Sequence, residues 1–142
     1  YEAIVHAGLE DMFTNQDSLT FFVLKDEVMT GWLTSFRYSC IDQVPVKVMA
    51  DFLRSYTADG YYPSTVLTTS YITVPSLNDD YRFCMRLYPN PSTKSQNLHS
   101  MQVGWEQPDP TVYYMNSIIT SNIRCTNGGI HVMAQKFLIH KN

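Results

Sequence analysis

Four histidines, His6, His99, His131 and His140, are the groups that a proton-transfer mechanism near neutral pH would draw on. A Ser–His–Asp set can be drawn from Ser100, His131 and Asp79, but a chain this rich in serine permits many such sets. No G-x-S-x-G elbow presents any serine as a nucleophile. Asp26-Glu27 and Asp79-Asp80 are adjacent carboxylate pairs. Glycoside hydrolysis needs two carboxyl groups facing each other across a cleft, roughly 5–10 Å apart. Sequence neighbours in a turn point apart, and Asp favours turns for its own backbone hydrogen bonding. Asn78-Asp79-Asp80 concentrates oxygen ligands but lacks the D-x-D-x-D-G spacing of a calcium loop. Cys40 precedes an expected helix, where a thiol can become a nucleophile, yet no partner residue can be assigned to it. The three cysteines (Cys40, Cys84, Cys125) form no CxxC or Cys/His cluster, so no zinc site is expected. They read as reduced, half-buried thiols, with one disulfide plus one free thiol as the alternative. No catalytic residue, metal or cofactor is assigned.

Recognition chemistry is better represented. Tyr61-Tyr62-Pro63, Tyr88, Trp105 and Tyr113-Tyr114 fall at or near expected strand ends. Tyr and Trp join an apolar body to a hydrogen-bonding tip and are favoured at recognition surfaces. The competing account is β-propensity alone, since one ring of each tandem pair must face the core. A polar cluster of Asn122, Arg124, His131 and Gln135 is expected near the tip of the last hairpin. The candidate binding residues are therefore Tyr61, Tyr62, Trp105, Tyr113, Tyr114, Arg124 and His131.

These residues depend on strands for their placement. Residues 111–140 read as two long strands about Thr126-Asn127-Gly128-Gly129. Asn-Gly suits a type I′ turn because both central positions need φ > 0. With Asn127-Gly128 at the tip, Cys125 faces Ile130 and Ile123 faces Val132 on one mostly apolar side, while the other side pairs Arg124 with His131 and is wet near the tip, turning apolar at Ile118 and Phe137. Residues 19–38 read as a first hairpin around Asp26-Glu27, with Phe21 opposite Trp32. Residues 44–56 change period: Val48, Met49, Phe52, Leu53 and Tyr56 share one helix face, with Asp42 as N-cap, Pro45 in the first turn and Asp59-Gly60 as the stop. A shorter helix covers Gly8–Phe13. Residues 64–74, 81–88 and 99–105 return to period two, separated by turns, and 90–97 is the most loop-like stretch. Ala3–His6 is a candidate eighth strand.

The expected fold is mainly β: an antiparallel sandwich or barrel-like sheet of seven to eight strands with one inserted helix (44–57). The alternative is α+β, with a curved sheet wrapped on that helix. At 142 residues the chain reads as a single globular domain, residues 1–142, excised or processed from a longer polypeptide because it opens on Tyr. Charged residues are only 16% of the chain, below the ~25% usual in soluble domains. The polar surface is thus built from hydroxyls and amides. A net charge of −3 without a basic stripe argues against nucleic acid, and no apolar run is long enough to span a membrane as a helix. These features favour a non-enzymatic interaction or structural module, such as a viral coat protein or its protruding domain, on a virion surface or outside the cell rather than in the cytoplasm. Its partner would be a protein, a host-surface receptor, a glycan or further copies of itself. Two alternatives are a small-ligand-binding protein or enzyme of cone-shaped α+β fold, with His131, Arg124 and Asn116 lining a pocket, and a carbohydrate-binding module stacking sugars on Trp105, Tyr61 and Tyr62.

Overall fold

Strand β1 (Leu19–Leu24) carries apolar side chains at both parities, and both of its faces find cover. The computed structural model describes residues 1–15, 18–89, 99–125, 127–133 and 135–137. Phe22 and Leu24 point into the main core, where Phe22 meets Phe83 at 4.8 Å between ring centroids. Phe21 points the other way, against Phe13 at 4.8 Å, under helices α1 (Glu2–His6) and α2 (Glu10–Asn15). Helix α3 (Asp26–Ser35) follows, then helix α4 (Val46–Ser55). Met49, Ala50 and Leu53 of α4 are buried in a second core with Trp32 and Leu33 of α3.

Six further strands complete the sheet: β2 (Thr57–Asp59), β3 (Ile72–Pro75), β4 (Arg82–Pro89), β5 (His99–Trp105), β6 (Asn116–Cys125) and β7 (Gly128–Met133). Their spatial order is β2-β1-β7-β6-β5-β4-β3. Ala58 bridges Ser76, and the Leu77 amide donates to the Thr57 carbonyl at 2.9 Å, so β2 and β3 meet and the sheet curls into a nearly closed barrel. Its interior holds Phe22, Phe83, Met85, Val103, Met133 and Phe137. The mainly β, barrel-like expectation is thus what the chain adopts, with seven strands among the described residues.

Several particulars differ from the sequence reading. Residues 28–38 are not a strand: Val28, Trp32 and Phe36 alternate in period two but are also spaced i, i+4, and α3 uses the second spacing. Asp26 and Glu27, expected at a hairpin tip, occupy its first turn and complement the helix dipole. Phe21 accordingly faces Thr57 and Ile130 rather than Trp32. Ala3–His6 is helical within α1, and residues 64–66 form a 3-10 turn, leaving only Ile72–Pro75 of that run as strand. The helix begins after Pro45, with Asp42 in a preceding 3-10 turn. The sheet is mixed rather than wholly antiparallel, because β1 pairs with β7 in parallel. The loop-like stretch 90–97 lies outside the described residues.

The last hairpin forms, but its register is displaced. Cys125 faces Gly128, Arg124 faces Gly129 and Ile123 faces Ile130, so the pairing is shifted toward Gly128. Gly128 serves the parallel contact instead: a Cβ there would overlap the Leu19 carbonyl oxygen. Two irregularities follow along β6, with Asn122 at φ 61, a conformation Asn tolerates better than most residues. Met133 replaces Phe137 opposite Ile118. Phe137 lies beyond the strand and turns inward, stacking on Tyr56 at 4.8 Å, while its amide donates to the Tyr56 hydroxyl at 3.0 Å.

His131 is not part of a wet patch. It is 1% exposed, and both ring nitrogens are engaged. The Asn122 amide donates to Nδ1 at 3.1 Å, so Nε2 carries the hydrogen and donates to the Tyr62 carbonyl at 2.9 Å. Thr20 Oγ1 completes this tie, donating to the Gly60 carbonyl and accepting from the Tyr62 amide, each at 2.8 Å. An imidazolium would set two donors against each other at Nδ1, and burial holds the group below its ordinary value of 6.5, the Tyr62 bond opposing this in part.

Phe22→Ala removes a ring that touches Phe83, Phe137 and His131 in the barrel interior. The expected cost is about 3–5 kcal/mol, read as a lower urea midpoint with unchanged slope. For His131 the unfolded chain takes up a proton before the folded one does. Its contribution to stability is therefore complete above about pH 6.5 and lost as pH falls through 6.5 toward the depressed folded value. Urea midpoints between pH 7.5 and pH 5 should drop more steeply for the native chain than for His131→Gln; equal slopes would remove His131 as the cause.

Candidate functional site

Strand β4 alternates strictly, sending Phe83, Met85 and Leu87 toward the core and Arg82, Cys84, Arg86 and Tyr88 outward. Its neighbour β5 sets Gly104 beside Cys84 and Gln102 beside Arg86, and β3 sets Thr73 beside Cys84. On this outer face the chain builds a row of rings around one guanidinium. The Tyr113 ring stacks on Tyr71 at 4.0 Å and 7°. The Arg86 guanidinium lies 4.3 Å from the Tyr71 centroid and 4.9 Å from that of Tyr88. Two groups this close to one centroid must take opposite faces of it, so Tyr71 is enclosed between Tyr113 and Arg86. Arg86 Nε donates to Gln102 Oε1 at 3.2 Å, which fixes the guanidinium plane. Tyr113 is 47% exposed and Tyr88 41%.

Tyr113 reaches this face because residues 106–115 cross over the outside of β5. The Glu106 amide donates to the Arg82 carbonyl at 2.7 Å, and Glu106 Oε2 pairs with Arg82 Nε at 3.5 Å. Asp109 Oδ1 accepts from the Thr111 amide at 2.9 Å and from its hydroxyl at 2.7 Å, closing a turn. The crossing passes so near β5 that a Cβ on Gly104 would strike the Tyr114 carbonyl oxygen. Beneath the segment lies a depression of about 210 Å³ lined by Tyr71, Thr73, Cys84, Pro110, Val112 and Tyr113, among others. Burial raises the pKa of the Cys84 thiol; nearby Glu106 adds to the shift and Arg86 opposes it, so Cys84 is a neutral wall of the depression rather than a nucleophile.

The residues singled out from sequence do not converge on one site, although Trp105 and Tyr113 both border the depression. Tyr113 joins the ring row, and Tyr114 is half-buried, its carbonyl set against Gly104. Trp105 faces the barrel end, packed by Tyr81 at 4.4 Å and by Tyr56 and Phe137 at 5.3 Å, with Nε1 buried and without a hydrogen-bond partner among the described residues. Tyr61 lies over Gly129, and Tyr62 gives its carbonyl to His131. Arg124 is exposed near the hairpin tip. Trp105 therefore shares no stacking platform with Tyr61 and Tyr62. Nor do His131, Arg124 and Asn116 line one pocket: His131 is enclosed, Arg124 is exposed, and Asn116 Nδ2 donates to the Lys136 carbonyl at 3.3 Å.

Sequence reasoning missed Tyr71 and Arg86. Arg86 and Tyr88 were legible as i, i+2 neighbours on one strand face. The single glycine in "HSMQVGW" was also a sign that another backbone passes close to β5. The three cysteines are free thiols. Among the described residues no group of three or more His, Cys, Asp or Glu converges as a metal site, and no helix is long and apolar enough to cross a membrane.

No protein-family model matches the sequence, and no curated protein does. The fold is similar to a solved structure described as a FAS1 domain pair from the insect cell adhesion molecule fasciclin I, with a TM-score of 0.69 at 13% identity. The similarity covers 96% of this chain and 43% of that one, so the chain spans less than half the length of its structural neighbour. The likeness is one of fold.

Proposed function

We propose that the chain is a non-enzymatic interaction module that recognises a protein partner on the outer face of β3, β4 and β5. One observation carries the reading: the row Tyr113–Tyr71–Arg86–Tyr88, held rigid by stacking and by the Gln102 bond, yet exposed at both ends. Tyr and Arg are the residues in which binding energy concentrates at protein interfaces. Rings already stacked in the free chain lose little further freedom on binding. The neighbouring structure comes from a cell adhesion molecule, which supports an adhesive role and, with the low charge, a location outside the cell. The viral coat reading draws no support from this fold. A sugar-stacking role is less well served, since Tyr71 has both faces occupied.

The test is to display the biotinylated chain as a streptavidin tetramer on an array of recombinant ectodomains and on a glycan array. We expect binding to at least one ectodomain. Tyr113→Ala and Tyr88→Ala should each weaken it by about tenfold or more, equivalent to about 1.4 kcal/mol, with urea midpoints only slightly lowered. Silence on the ectodomains, or binding indifferent to both substitutions, removes this reading. Glycan binding lost in the same variants would replace it with a lectin.

A further inference from the structure

We infer that the ring row on β3–β5 is built to take an acidic peptide segment, with a partner carboxylate on the terminal nitrogens of Arg86 and a neighbouring apolar side chain in the depression beside Tyr113. This rests on the proposal that the outer face is the docking surface, and it adds the chemistry of what docks.

The argument begins with charge. Arg82 on the same strand face is neutralised by Glu106 at 3.5 Å, whereas among the described residues no carboxylate pairs with Arg86. The face therefore carries one uncompensated positive charge, although the chain as a whole is at −3. Geometry narrows the complement. Contact with Tyr71 and Tyr88 strips water from the guanidinium, and Gln102 takes Nε. The donors left are the terminal N–H groups, whose fork matches the two oxygens of a carboxylate. A guanidinium held in one plane by its neighbours has already lost the freedom that such a bidentate contact would otherwise cost.

The second half comes from shape. Next to Tyr113 and Tyr71 lies the depression of about 210 Å³, with Val112, Pro110 and the neutral Cys84 thiol in its wall. It is smaller than the roughly 300–1,000 Å³ usual for small-molecule sites. Its size suits a single side chain of a partner better than a whole ligand, and its wall, though it includes Thr73, Glu106 and Gln107, is more apolar than polar. The recognised element is thus a segment with an Asp or Glu close to an apolar residue.

A phage-displayed library of random dodecapeptides panned on the immobilised chain tests this. Selected peptides should be enriched in Asp and Glu, and a synthetic representative should bind more weakly as salt is raised. Arg86→Gln should weaken that peptide by about tenfold to a hundredfold, the range for a hydrogen bond to a charged group, and Arg86→Lys should weaken it less. Replacing the peptide's acid by its amide should cost the same on the intact chain, a readout that does not depend on how a variant folds. Peptides lost in Tyr113→Ala but lacking acids, or indifferent to Arg86→Gln and to the amide exchange, would overturn the acidic-segment inference and leave the docking face standing. If no peptide depends on Tyr113 or Arg86, both fail.

Discussion

Everything in this fold turns on β1 being apolar on both faces. A strand of this kind cannot stay at a solvent-facing position, and the chain covers it twice: by the barrel interior on the Phe22 side and by the helical layer on the Phe21 side. It must also be paired along both edges, with β2 antiparallel and β7 parallel. The meander β3-β4-β5-β6-β7 brings the last strand alongside β1, and the parallel contact is possible only because Gly128 presents no side chain to the Leu19 carbonyl. Thr20 and His131 then tie the segment 60–62 to these same two strands. The strand order, the helical cap and the buried histidine are three consequences of one constraint.

The outer face of β3–β5 follows a different logic. It does not fill a core, since the core is complete on the other side of the strands. Its rings are ordered by a crossing segment that lies flat on β5 at Gly104. Cation–π contacts at exposed sites contribute about 0.5–1 kcal/mol each, little beside the cost of emptying the barrel interior. The arrangement is thus a minor contributor to stability and a major determinant of what the surface presents.

The period-two runs 81–88 and 99–105, the terminal hairpin and the helix at 46–55 were legible because in each the hydrophobic pattern and the turn residues agree. Residues 28–36 were not, because Val28, Trp32 and Phe36 satisfy both a strand and a helix spacing; only the packing of Leu33 against α4 decides between them. The hairpin register was misread because Gly128 looks like a turn residue, and its use against Leu19 depends on a strand more than a hundred residues away. The surface row was hidden for the same reason. Tyr71 and Tyr113 are far apart in sequence, and nothing local says that they stack. Trp105 and His131 were chosen for their chemistry, yet each is chiefly occupied in holding the fold.

The junction of β2 with β3 bears on how the domain behaves in company. Open sheets present rows of unsatisfied amides and carbonyls to which foreign strands can add, and natural proteins blunt or close them. Here the two terminal strands are short and meet through Ala58, Ser76 and the Leu77–Thr57 bond. Copies of such a unit can sit side by side, on one polypeptide or at high local density on a surface, without zipping together through their backbones. Contact between them is left to side chains, which is the level at which partners can be told apart.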